Sequence, residues 1–152
     1  MTRSRSLFLP NKPILTLKEF EKVLGIALTY VTSMSYIKLK ALFYLLFYTG
    51  VPQPILLKLT RKEIGERKAK GEWKLNKNVI KIFNQYYRTE TEEHNAFNVT
   101  PHTLQQVFRN VSKYYGFNVS VEVFRKSFIE RSKLNEKEDL QNQEVQQVDE
   151  TT

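Results

Sequence analysis

Two groups of cations stand where they could grip a phosphate. Arg125 and Lys126 lie in a segment of helical periodicity towards the end of the chain, and Arg67, Lys68 and Lys70 crowd a glycine-containing stretch near its middle. A third segment places His102, Thr103, Gln105, Gln106 and Arg109 on outward positions, with Lys113 further along. Imidazole, hydroxyl and amide groups of that kind suit base edges and phosphates, and water equally. Lys58, Arg61 and Lys62 extend the positive charge. This is the chemistry of holding a polyanion rather than of breaking bonds. The only histidines are His94 and His102, and with no cysteine and no spaced carboxylate cluster no metal site is expected. A Gly-rich phosphate loop is also missing, so no cofactor is expected.

Charge points the same way. The 152 residues carry net +8, with a sequence pI near 9.6. Residues 136–152 hold six carboxylates against Lys137, net −5, which leaves +13 on the rest of the chain. A domain that basic is most often a polyanion binder, and double-stranded DNA is the expected partner. Without cysteine there is no disulfide framework and no sign of a secreted fold. The most apolar run, Ala41 to Tyr48, is far shorter than the roughly 20 residues of a membrane span. Met1 to Pro10 lacks the apolar stretch of a signal peptide. The expected location is cytoplasmic, associated with DNA, with no membrane partner.

Helices must position these residues. Residues 1–13 read as a flexible basic arm, 14–134 as one helical domain and 135–152 as an acidic polar tail that buries too little surface to order itself and either stays disordered or folds back to compete with DNA for the basic face. Thr16-Leu17-Lys18-Glu19 is a capping box, and Phe20, Val23, Leu24 and Ala27 continue it as a helix to about Thr32. Tyr36 to Tyr48 has almost no polar face, so it is expected to be buried on all sides. Gly50 stops it, and Pro54 opens a short return helix carried by Ile55, Leu56, Leu57 and Leu59. Glu63 to Leu75, with two glycines, several lysines and short alternating arms, predicts a β-hairpin with a basic tip. Asn76 begins a further helix that fades by Thr89. Thr100-Pro101 starts the next, with Leu104, Val107, Phe108 and Val111 inward and Gly116 as its stop. Ser120 caps the last helix, from Val121 to about Leu134.

The order of these pieces resembles the catalytic domain of tyrosine recombinases, the phage-type integrases. Thr49-Gly50-Val51, then Leu56-Leu57-Lys58-Leu59 and Ile64, match the family's Thr-Gly turn and Leu-rich helix. Glu122-Val123-Phe124-Arg125-Lys126-Ser127-Phe128 matches its His-x-x-Arg motif at Arg125 and at the packing residues Phe124 and Phe128. The resemblance implies a mainly α fold with a small β-hairpin, lacking the C-terminal nucleophile segment. It further implies a hairpin lysine reaching the DNA, best matched by Lys70 of Lys70-Gly71 with Lys68 as the competitor, and a groove helix starting at Thr100. Pro52 stands where the family has its first catalytic arginine, Glu122 replaces the histidine, and no tyrosine follows Tyr115. Phosphodiester cleavage needs cations on the non-bridging oxygens, a proton donor and an in-line nucleophile. With those replaced, the expectation is a non-catalytic DNA-binding protein serving a mobile element, virus or plasmid in regulation, partition or recombination. The alternative is an interaction subunit that binds itself, a recombinase or another partner through its fold and acidic tail.

Overall fold

Short-range hydrogen bonds decide where the helices start. The structure is a computed structural model that describes residues 9–71, 73, 75, 77–89, 96–97 and 99–134. In it the Thr16 hydroxyl accepts from the Glu19 N–H at 3.2 Å while the Glu19 carboxylate accepts from the Thr16 N–H at 3.1 Å, which opens α1 (Leu17–Tyr30). Ser35 does the same for α2 (Tyr36–Thr49), accepting from the Lys38 N–H. α3 (Gln53–Lys58) carries Pro54 in its first turn, and Thr60 caps α4 (Arg61–Ala69). α5 (Lys77–Thr89), α6 (Pro101–Tyr115) and α7 (121–134) complete seven helices among the described residues. Asn11 and Asn118 form an isolated parallel β-bridge.

α2 is the centre. Leu39, Leu42, Phe43, Leu45, Leu46 and Phe47 point in several directions and are all buried, because α1 covers one side, α5 another, and α7 crosses its C-terminal end. Phe124 of α7 touches the rings of Phe20, Phe43, Phe47 and Phe108 at centroid distances of 5.4–6.3 Å, joining α1, α2, α6 and α7 in one aromatic cluster. Offset and edge-on rings of this kind add about 0.5–1.5 kcal/mol per pair beyond the area they bury. In the return helix α3 only Leu56 is buried; Leu57 is half-buried and Ile55 is exposed, so that helix touches the core along a narrower line than its composition predicts.

Two expectations change. The stretch expected as a β-hairpin is the helix α4. Thr60 accepts from the Glu63 N–H at 3.2 Å and donates to the Glu63 carboxylate at 3.1 Å, while Arg, Lys, Glu and Ala are strong helix formers. Gly71, at φ 76°, ends the helix rather than turning a hairpin, and Lys70 is its C-cap. The alternation of charge and apolar residues was too short to outweigh a cap and helix-favouring composition. The second change concerns the N-terminal arm, whose described part, residues 9–13, is docked. The Asn118 N–H donates to the Pro10 carbonyl at 2.8 Å, and the Asn118 side-chain amide donates to the Leu9 carbonyl at 2.9 Å. Residues 1–8 and the tail from 135 lie outside the described residues, as does His94.

Candidate nucleic-acid interface

α6 displays its polar residues as a single stripe. His102, Gln105, Gln106, Arg109 and Lys113 follow the i, i+3, i+4, i+7, i+11 spacing of one helix face and are all exposed, while Leu104, Val107, Phe108 and Val111 are buried behind them. No carboxylate occurs anywhere in α6. Thr100 fixes the start by accepting from the Thr103 N–H at 3.1 Å. The Thr103 hydroxyl lies 2.9 Å from that of Thr100, so this predicted site residue is half-buried and part of the cap. At the other end Gly116, at φ 88°, lets the chain turn back. Buried Ser112 then holds the turn, accepting from the Val119 N–H at 2.9 Å and donating to the Val119 carbonyl at 3.2 Å.

That turn creates a groove beside the stripe. It has a volume of about 750 Å³, with Leu104, Phe108, Val119 and Val121 among its apolar lining and Leu9 contributed by the docked arm. Gln53, Gln105, Arg109, Lys113, Asn118 and Ser120 are among its polar lining, and no carboxylate of the described residues lines it. The arm is secured beyond it by an ion pair between Lys12 and Glu19, with Lys12 5.1 Å from the centre of the Phe117 ring. Tyr115 donates to the same Glu19 carboxylate at 3.2 Å. Lys12, together with the Thr16 hydrogen bonds, holds the Glu19 carboxyl down to about 2, and burial pushes the Tyr115 hydroxyl up.

The other predicted contacts occupy different elements. Arg67 is half-buried on α4, its guanidinium 4.9 Å from the centre of the buried Trp73 ring, which gives it a packing role. Lys68 and Lys70 are exposed at the C-terminal end of α4, with Lys58 and Lys62 exposed nearby in the chain and Arg61 half-buried. Arg125 and Lys126 are exposed on α7. None of these residues lines the groove, which brings together only Gln105 and Arg109 of the predicted set.

Gln53, Asn118 and Ser120 were not foreseen as site residues, since distant segments carry them to the groove. Lys113 was placed on the stripe without being assigned a contact, although its position four residues after Arg109 was the signal. The motif around Arg125 has its own structural duties. Buried Ser127 accepts from the Leu15 N–H at 2.7 Å and donates to the Val123 carbonyl at 2.6 Å. Phe128 lies over Gly50, where an added Cβ would come within 2.6 Å of its ring. Arg131 donates to the Phe47 carbonyl and sits 3.7 Å above the Phe47 ring, and burial lowers its pKa.

No family model, curated protein or solved structure matches the chain. No described helix is long and apolar enough to cross a membrane.

Proposed function

We propose that this chain is a non-catalytic double-stranded DNA-binding protein on a degenerate tyrosine-recombinase-like scaffold, serving a mobile element, virus or plasmid. The observation that carries the reading is the exposed face of α6: His102, Gln105, Gln106, Arg109 and Lys113 in one line, without a carboxylate, on a body of net +13. A helix of this width fits the major groove, where amides pair with adenine and arginine with guanine. Lys68, Lys70, Arg125 and Lys126 supply further cations for the sugar-phosphate backbone. Support for the scaffold is narrower: Gly50 of the Thr-Gly turn touches Phe128 of the Arg125 helix, so the two segments that carry the resemblance meet in space.

A fluorescence-anisotropy titration on duplex DNA at rising salt tests the reading. Binding is expected to weaken with a slope of about 0.9 per phosphate contact in log K against log salt. Arg109→Ala and Lys113→Ala should each reduce that slope by about one contact. Absence of binding at low salt, or binding indifferent to salt, overturns the reading and favours the interaction subunit.

A further inference from the structure

The groove beside α6 combines an apolar floor with a cationic edge. Leu104, Phe108, Val119 and Val121 line it, and Arg109 and Lys113 stand exposed along it, with no carboxylate in the lining among the described residues. An occupant that fits must bring negative charge interspersed with a few aliphatic side chains. DNA supplies the charge without the side chains.

The chain itself holds a segment of that composition. Residues 136–150 place Leu140, Val145 and Val148 among Glu138, Asp139, Glu144, Asp149 and Glu150. We propose that the groove between α6, the 117–120 turn and the start of α7 is the docking site of this acidic segment of the same chain.

Reach is sufficient. Val121 lines the groove at the N-terminal end of α7, and α7 (121–134) is about 20 Å long at 1.5 Å per residue. A segment leaving Leu134 must therefore run back about one helix length. At about 3.3 Å per extended residue, Val145 and Val148 have some 36 and 46 Å of chain available, and Leu140 about 20 Å. A tethered segment also acts at an effective concentration that a separate acidic peptide would have to match, on the order of millimolar. Charge complementarity does the selecting, and the aliphatic residues take the floor.

Docking there sets carboxylates against Arg109 and Lys113, two of the cations assigned above to DNA. The segment then competes with DNA for this edge, and that consequence rests on the DNA reading. The docking does not, so it is tested in protein without DNA.

The absence of cysteine makes the test direct. A nitroxide is attached to the full chain at Gln146→Cys, and paramagnetic broadening is read across the backbone amides. The expected result is selective loss of signal at Gln105, Arg109, Val119 and Val121, with α5 amides such as Asn84 unaffected. Arg109→Glu with Lys113→Glu, both at exposed positions, should restore the lost signals, as should Val145→Ser with Val148→Ser on the other partner. Broadening that is uniform, or centred on α4, or unchanged in both pairs of variants, overturns the proposal. Broadening that appears only when spin-labelled chains are mixed with isotopically labelled ones also overturns it, because the occupant is then a second copy's tail.

Discussion

Two helices of this protein end in the same way and are then held in opposite ways. α2 stops at Gly50 and α6 at Gly116, each glycine left-handed, at φ 65° and 88°, and each donating its N–H to the carbonyl four residues back, at 3.1 and 2.9 Å. At Gly50 the exit is closed by α7: Phe128 lies on the glycine, Ser127 receives the Leu15 N–H, and Arg131 covers the last turn of α2. At Gly116 an added Cβ would meet nothing within 4 Å, and the following turn is tied by polar bonds to a strip of chain at residues 9–12. One junction is buried and shape-specific, the other exposed and bonded by charge and amide. An identical local signal thus reveals nothing about what will pack against it.

The largest difference should come from alanine at the two glycines. Gly50→Ala faces both the left-handed backbone, about 1–2 kcal/mol, and a clash with the Phe128 ring near its Cβ, another 1–3 kcal/mol for overpacking. A loss of about 3 kcal/mol is expected in chemical denaturation. Gly116→Ala should lose only the backbone share, and equal losses would break the contrast. Ser127→Ala comes next. It strands the buried Leu15 N–H, for about 1–3 kcal/mol, and the calorimetric midpoint should fall accordingly. Asn118→Ala, at a half-buried site where water can replace the amide, should fall by about 1 kcal/mol or less.

Acid distinguishes the junctions by a different route. The Glu19 carboxyl is held below its ordinary value, down to about 2, chiefly by Lys12. A depressed carboxyl contributes stability that is fully present above the unfolded value and is lost as pH falls towards the folded one. The Gly116 junction should therefore loosen between about pH 4.5 and 2, and Glu19→Gln should flatten that decline, as followed by amide exchange at Asn118. The Gly50 junction, closed by Phe128, Ser127 and Arg131, should hold through the same window. The smallest effect serves as a reference. Gly25 is exposed within α1 with nothing within 4 Å of an added Cβ, so Gly25→Ala should stabilise by about 0.5–1 kcal/mol in the same denaturation assay.

Helix ends were legible wherever a cap speaks locally. Thr16 with Glu19, Thr100 with Pro101, and both stop glycines act within four residues of themselves, so reading them in order recovers most of the element boundaries. α4 was not legible as a helix because Gly65 and Gly71 carry a turn signal that masks the Thr60–Glu63 cap and the helix-forming Arg61, Lys62, Glu66 and Ala69. The α6 stripe was legible from spacing alone. The groove was not, since Leu9, Gln53 and Asn118 reach it only through packing and backbone bonds between segments far apart in the chain. The same limit explains Ser127, whose neighbours in the sequence give no hint of Leu15.

Trp73, the sole indole, rests under the Arg67 guanidinium at the foot of α4 and shares one buried core with the phenylalanines that join α1, α2, α6 and α7. Its emission is accordingly an optical gauge placed where that core meets α4. Followed beside far-ultraviolet dichroism in a melt, it will register whether the lysine-bearing helix departs before the phenylalanine cluster gives way.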